Sequence, residues 1–159
     1  FSFVPPPGFV RFRKPLKTHL EEATFKSERR GYQIGVAVDP IKIDALSRFG
    51  TPEEVGERVV AVERAKDGTL EVRLVSAAAG DAGAAADGGG GGGDGGAVPA
   101  YTLEYAVDST RGKNRFVAKV AVRGGRLYVC TGQAKEADLP EVAAEMAAAV
   151  GSFRLLPPP

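Results

Sequence analysis

Alternating hydrophobic and polar residues run through most of the chain and predict a protein built mainly of β-strands. In 100–107, for example, large apolar side chains recur at every second position from Tyr101 to Val107, which places them on one face of a strand. The predicted strands are 1–4, 9–13, 22–26, 31–38, 69–76, 100–107, 115–123, 126–133 and 152–156. Gly124-Gly125 joins two of them as a two-residue hairpin turn, so we expect an antiparallel sheet.

The segment after residue 50 carries helix signals instead. Thr51-Pro52-Glu53-Glu54 is a capping box with proline at the first helical position, and it predicts a helix from about residue 52 to 64. Val55, Val59 and Val62 recur at the spacing i, i+4, i+7. We expect these valines to form the buried stripe of the helix.

A second helix is predicted from Asp138, with Glu141 three residues later, to Gly151, because glycine is favoured where helices end. Its expected buried stripe consists of Leu139, Val142, Ala143, Met146 and Val150. Helices that cover the faces of an antiparallel sheet define an α+β fold, and here they predict an α/β/α sandwich.

The length of 159 residues is typical of a single domain, which we expect to span residues 1–159. The segment 80–97 is rich in glycine and alanine and contains no side chain larger than aspartate. Such a segment buries too little apolar area to offset the entropy lost on ordering. We interpret it as a flexible surface insertion between two strands.

Composition and charge exclude several classes of protein. The chain has 21 Lys and Arg against 20 Asp and Glu, a formal net charge of +1, whereas a nucleic-acid-binding protein carries a clear basic excess. No apolar run approaches the roughly 18 residues of a membrane-spanning helix. The single cysteine, Cys130, excludes an internal disulfide.

Signals of catalysis are weak, and we predict that the protein is not an enzyme. The only histidine, the usual base near neutral pH, is His19. Cys130 lies in an apolar strand, where a free cysteine is most often a small buried hydrophobe. No histidine is near Cys130 in the sequence, so no base–nucleophile pair is evident.

His19, Glu21 and Glu22 are weak candidates for metal ligands. In an extended segment His19 and Glu21 share a face, and zinc accepts an imidazole together with a carboxylate. The alternative is a solvent-exposed histidine beside ordinary surface carboxylates, which we favour because three ligands rarely come from so short a stretch.

Basic residues form two clusters that are candidates for docking onto an acidic partner. The clusters are Arg11, Arg13 and Lys14 near the start, and Arg111, Lys113 and Arg115 in the connection between two strands. The alternative is solvated turns whose charges only aid solubility. If they dock, the second cluster should contribute more than the insertion at 80–97, because a short loop held between strands loses little entropy on binding.

Five short motifs occur in order along the chain. They are Phe1–Phe9 with its Pro-Pro-Pro-Gly run, Phe49–Val55, Tyr101–Tyr105, Gly125–Tyr128 and Gly151–Phe153. Together they resemble the PsbP domain family of oxygenic photosynthesis over nearly the whole chain outside the insertion. Phe9 stands where that family usually has tryptophan.

The resemblance implies a central antiparallel sheet of about six strands flanked by helices. It implies a location in the chloroplast thylakoid lumen after removal of a targeting peptide, consistent with a first residue other than methionine. It further implies a non-catalytic extrinsic protein, peripheral to the membrane, that associates with photosystem II or photosystem I as an auxiliary or assembly subunit.

The resemblance leaves a second function open. The family includes the extrinsic subunit that supports calcium and chloride retention at photosystem II, so the alternative is a calcium- or metal-ion-binding luminal module that supports oxygen evolution. The long N-terminal extension of that subunit is not in this chain, and the segment 80–97 is foreign to it. We therefore expect a PsbP-like relative rather than the oxygen-evolving subunit itself.

Overall fold

Seven strands form one antiparallel sheet in the computed structural model, which describes residues 1–13, 15–83 and 97–156. The strands are β1 (Val10–Phe12), β2 (Glu21–Lys26), β3 (Gln33–Pro40), β4 (Thr69–Asp81), β5 (Pro99–Ser109), β6 (Gly112–Arg123) and β7 (Arg126–Lys135). Their order across the sheet is β1-β2-β3-β7-β6-β5-β4. The predicted α+β fold is confirmed, with one strand more than the expected six.

Two α-helices flank the sheet, α1 (Pro52–Arg64) and α2 (Leu139–Gly151), each at the position predicted from the sequence. The capping box of α1 is formed as predicted. The Glu54 N–H donates to Thr51 Oγ1 at 3.2 Å, and the Thr51 N–H donates to Glu54 Oε2 at 2.8 Å. These two bonds satisfy N–H groups that have no partner within the helix.

The two helices lie on opposite faces of the sheet, as the alternation in β6 shows. Ala118 and Val120 belong to the core beneath α1, whereas Val117 and Ala121 belong to the core beneath α2. Along β7, Cys130 faces α2 and is fully buried. The predicted α/β/α sandwich therefore has one core on each side of the sheet.

The helices are offset across the sheet. Helix α1 packs on β4 and β5, whereas α2 packs on β7, β6 and β3. Each face therefore keeps a part that neither helix covers: β4 and β5 on the side of α2, and β2, β3 and β7 on the side of α1.

The strands predicted at 1–4 and 152–156 are wrong. The two segments share a single bridge, between Ser2 and Arg154, and form no ladder. Pro5-Pro6-Pro7 follows at once, and proline has no N–H with which to continue one. Aromatic contacts hold the N-terminal segment instead, through the pairs Phe1–Phe153, Phe3–Phe25 and Phe9–Tyr32.

The buried stripe of α1 differs from the predicted one. Val62 is 62% exposed, and the buried residues are Val55, Gly56 and Val60. Gly56 packs against Leu74 so closely that a Cβ atom there would lie 2.9 Å from both Leu74 methyl carbons. This contact fixes the rotation of the helix and turns Val62 away from the sheet.

Helix α2 departs from its predicted stripe at one position. Ala143 is exposed, and Ala149 is buried in its place. The helix also continues through Gly151, and its C-cap is Ser152 in a right-handed conformation. No left-handed backbone conformation therefore requires a glycine at position 151. The remaining predicted stripe residues are buried or partly buried.

The predicted insertion at 80–97 begins later than expected. Strand β4 extends to Asp81, and Ala82 is fully buried with its N–H donating to the carbonyl of Val98. Residues 84–96 lie outside the described part of the chain, so the interpretation of that segment as a flexible insertion stays a prediction.

We predict that Gly132→Ala destabilises the fold by about 1–3 kcal/mol, because the packing of α2 on β7 leaves no space there. A Cβ atom at Gly132 would lie 2.6 Å from Met146 Cγ and 3.1 Å from a Val150 methyl carbon. Gly80→Ala is the matched control, since a Cβ atom at Gly80 meets nothing within 4 Å. Urea unfolding measures both, and equal midpoints for the two variants would contradict this account of the packing.

Candidate functional site

The basic cluster at residues 111–115 lies at the β5–β6 hairpin. Arg111 is in the turn, but β6 begins at Gly112, so Lys113 and Arg115 are strand residues. The prediction that all three lie in the connection between two strands is therefore wrong. Alternation along β6 places Lys113 and Arg115 on the face of the sheet that packs against α2.

Arg115 is held by two carboxylates of the same chain. Its Nε and Nη2 atoms donate to the two carboxylate oxygens of Glu136 at 3.2 and 2.6 Å, and Nη1 donates to Glu104 Oε1 at 2.6 Å. The side chain is only 14% exposed. These hydrogen bonds, first of all those with Glu136, raise the pKa of Arg115. Its charge is therefore balanced within the protein.

Charges of both signs surround this ion-pair cluster. A depression of about 200 Å³ lies beside it, lined by residues that include Glu71, Arg73 and Asp108. Lys113 Nζ lies 3.6 Å from Asp108 Oδ2, but its side chain remains 70% exposed. Arg111 makes no ion pair with any residue that the structure describes. Of the three predicted docking residues, Arg111 and Lys113 are thus the two that present charge to solvent.

The first basic cluster lies at the edge of the sheet. Arg11 and Arg13 are exposed at and just after β1, whereas Lys14 lies outside the described residues. Phe12, between the two arginines, is 44% exposed and carries Lys26 Nζ 3.7 Å from its ring centroid. Cations thus accompany an exposed aromatic ring at this edge.

His19 has a partner that the sequence did not suggest. Its Nδ1 atom lies 2.8 Å from Asp39 Oδ1. Glu21 and Glu22 are adjacent in β2 and therefore point to opposite faces of the sheet. Within residues 1–13, 15–83 and 97–156 no three potential ligand side chains are close enough to hold a metal ion. Binding of calcium stays a prediction from the resemblance.

Cys130 and Lys119 are two of the ionisable groups buried beneath α2. Cys130 is fully buried, as predicted, and burial raises the pKa of its thiol to about 12. Lys119 is 6% exposed, and burial lowers its pKa. The Lys119 ammonium donates to the carbonyls of Gly151 and Phe153, each at 3.3 Å. Because these carbonyls lie at the end of α2, we assign Lys119 to stability rather than to chemistry.

A surface that the sequence did not predict lies on the side of the sheet where α1 packs. We call it the open face; its floor is Glu22, Thr24, Gln33, Gly35, Ala37, Thr131 and Gln133. These residues alternate with buried ones along β2, β3 and β7. The sequence does contain a sign of this surface. Small or polar residues, Gln33, Gly35 and Ala37, alternate with the apolar residues of β3, which indicates that one face of the strand is not part of an apolar core.

No helix in the described part of the chain has both the length and the apolar character needed to cross a membrane. The offset helices define an α/β/α sandwich in which each helix covers only part of one face of the sheet. A profile of the PsbP family matches residues 1–155. The chain therefore belongs to the PsbP family.

Comparison with individual proteins agrees with this membership. The chain is 34% identical over 97 residues to PsbP domain-containing protein 2, chloroplastic, of Arabidopsis thaliana. That alignment covers 60% of this chain and 36% of the relative, so the chain spans little more than a third of that protein's length.

Two solved structures share the fold. The solution structure of cyanobacterial PsbP (CyanoP) from Synechocystis sp. PCC 6803 superposes with a TM-score of 0.70 at 23% identity, over 97% of this chain and 85% of that chain. A Pseudomonas aeruginosa protein of unknown function, PA94, described as a putative regulator, superposes with a TM-score of 0.52 at 15% identity, over 95% and 98% of the two chains. At these identities the likeness concerns the fold alone.

We predict that the Cys130 thiol is inert in the folded protein, because burial raises its pKa to about 12 and only the thiolate is the nucleophile. Ellman's reagent at pH 8 should detect no thiol in the native protein and one thiol in guanidinium chloride. Thr131→Cys is the control, since its neighbouring thiol would lie on the open face and should react at once. Rapid modification of Cys130 in the native wild-type chain would contradict this placement.

We predict that Arg115→Gln lowers the free energy of unfolding by about 1–3 kcal/mol, because charged hydrogen bonds to Glu104 and Glu136 are lost and two carboxylates remain without their cation. Lys113→Gln is the matched control and should change it by no more than about 0.5 kcal/mol, since its ion pair is long and exposed. Chemical unfolding at low salt compares the two. Equal losses would show that the Arg115 cluster has no special role in stability.

Proposed function

We propose that this protein is a chloroplast thylakoid luminal protein that docks on a photosynthetic membrane complex, photosystem II or photosystem I, as a non-catalytic auxiliary or assembly subunit. The observation that carries the proposal is the PsbP family match over residues 1–155. Family membership supports a role in photosynthesis, and the chloroplastic relative from Arabidopsis thaliana supports the compartment.

The chemistry of the described residues favours binding over catalysis. The Cys130 thiol is buried and protonated, and His19 is engaged by Asp39. The described residues therefore contain no cysteine–histidine pair of the kind that nucleophilic catalysis by a thiol requires.

The geometry of the β5–β6 hairpin refines which charges would dock. Arg111 and Lys113 are exposed, whereas Arg115 is balanced by Glu104 and Glu136. Exposed charges at the rim of an interface act mainly on the association rate and its salt dependence. Arg111 and Lys113 are thus the pair to test, and Arg115 is best left intact because its removal would disturb the fold.

We predict that Arg111→Gln/Lys113→Gln slows association with solubilised thylakoid complexes several-fold at low salt and flattens the dependence of the rate on salt. The matched control is Lys42→Gln/Arg126→Gln, which removes two exposed positive charges at the opposite end of β6. Surface plasmon resonance across a salt series measures both variants.

Two outcomes would overturn parts of this proposal. If affinity capture from solubilised thylakoids with the wild-type chain recovers no photosystem subunits, the proposed function fails. If deletion of residues 84–96 weakens binding and the Arg111/Lys113 variant does not, docking through the β5–β6 hairpin is wrong. We expect the deletion to leave binding as it was, because ordering a glycine-rich segment gains few contacts for the entropy lost.

A further inference from the structure

Three depressions on the α1 side of the sheet join into one. The first, about 340 Å³ beside β1, shares Glu22 and Thr24 with the second, about 160 Å³ over the open face. The second shares Val129 and Thr131 with the third, about 290 Å³ along α1. We call this continuous surface the trough. The trough is bounded by β1 on one side and by α1 on the other, and the open face lies between them as its floor.

The dimensions of the trough match an α-helix. Its floor is three neighbouring strands, β2, β3 and β7, which at about 4.8 Å per strand span roughly 14 Å. A helix with its side chains is about 10–12 Å across. On the opposite face of the sheet, β3 and β7 already carry a helix, α2. On the side of the trough neither α1 nor α2 packs on them, and only the short 3₁₀ helix Leu46–Phe49 clusters with Val129 of β7 among the described helices.

The walls of the trough are apolar, and small residues form the part of its floor between them. On one side stand Val59 and Val62 of α1, with Val62 62% exposed. On the other stands Phe12, 44% exposed. The floor between them contains Ala37, whose small side chain lets a partner approach the sheet, and Gly35, where Thr24 Oγ1 lies 3.1 Å from the position that a Cβ atom would take. An occupant therefore needs an apolar stripe that can reach the walls.

The rims of the trough are positive. Arg58 lies on the α1 rim, and Arg13 and Lys26 lie on the β1 rim. All three are exposed, and none makes an ion pair within the described part of the chain. Two acids also line the trough, and both are engaged: Glu63 pairs with Lys66 at 2.6 Å, and Glu22 accepts a hydrogen bond from Thr24 Oγ1 at 3.3 Å. Complementary charge on an occupant is therefore negative.

We propose that the trough binds an acidic amphipathic α-helix of a partner protein. Its apolar stripe lies against Val59 and Val62, and its carboxylates reach Arg58 on one rim and Lys26 on the other. The proposal rests on the proposed function, since the partner is a subunit of the photosynthetic complex. A concave surface with its apolar residues on the walls suits a helix, whereas a lipid surface is flat and would reach only the rims.

Paired substitutions at the trough test the site with the natural partner. Arg58→Glu/Val62→Asp reverses one rim charge and adds a charge to the apolar wall, at two exposed positions that should leave the fold intact. We expect its affinity for solubilised thylakoid complexes to fall at least tenfold. The control, Arg126→Glu/Leu70→Asp, makes the same changes at exposed positions outside the trough and should bind as the wild type does. If the wild type binds and both variants bind equally well, the trough is not the site, although the proposed function stands.

Photocrosslinking identifies the occupant. A benzophenone side chain in place of Val62 should crosslink to an acidic helical segment of a photosynthetic subunit, and one in place of Leu70 should not. Products formed only with a second copy of this chain, only with lipid, or equally from both positions would overturn the assignment to a partner helix.

A designed peptide tests the trough independently of the membrane complexes. The probe is a 15-residue amphipathic helix with leucines on one face and glutamates on its flanks, compared with the same peptide carrying lysines. In nuclear magnetic resonance titrations, the acidic peptide should shift the amide signals of Gly35, Ala37 and Thr131, and the basic peptide should bind at least tenfold more weakly. If the acidic peptide leaves these signals unchanged, or if both peptides bind alike, the proposal fails even where the protein docks on a photosystem.

Discussion

Two helices of 13 residues each must cover a sheet of seven strands, and this shortage of helix determines most of the surface chemistry. A sheet buries its apolar faces only where another layer lies on them. Helices α1 and α2 lie on opposite faces and over different strands, and in the described part of the chain β6 lies between them, with Ala118 and Val120 clustered with α1 residues and Val117 and Ala121 with α2 residues. Each of the other strands has one face that neither helix covers, and the side chains on that face must be compatible with water.

The two uncovered parts of the sheet meet this requirement in different ways. On the α2 side, β4 and β5 carry charges, and Arg115 binds Glu104 and Glu136 in a cluster that leaves little free charge. On the α1 side, the floor is small and polar, Gln33 Nε2 donates to Gln133 Oε1 at 3.4 Å, and the cations stand apart at the rims. The Arg115 cluster is balanced within the protein, although Arg111 and Lys113 beside it remain exposed, whereas the trough combines apolar walls with unpaired cations at its rims. This difference is why the trough, rather than the ion-pair cluster, has the properties of a binding surface.

Features encoded within a few residues could be predicted from the sequence, whereas features that depend on tertiary contacts could not. The capping box at Thr51 and the hairpin at Gly124-Gly125, where both glycines have positive φ, are local and both were correct. Val62 fits the helical spacing as well as Val60 does, and only the contact of Gly56 with the sheet decides which is buried. Glu136, one of the two partners of Arg115, lies 21 residues further along the chain, directly after the end of β7. No spacing rule points to this pairing.

The polarity of the trough floor bears on how tightly a partner can be held. A floor of threonine, glutamine, glycine and alanine, with Glu22 at its β2 side, costs little to expose, so the free protein needs no partner to remain folded. The same floor gains less free energy on burial than an apolar one, because its hydrogen-bonding groups must exchange water for partner groups. Affinity must then come from the valine and phenylalanine walls, and the rate of encounter from the cations at the rims. A surface of this kind suits association that is specific but reversible, as the proposed auxiliary or assembly role would require. It also accounts for the position of the cations, which lie where the apolar walls end and are not spread over the sheet.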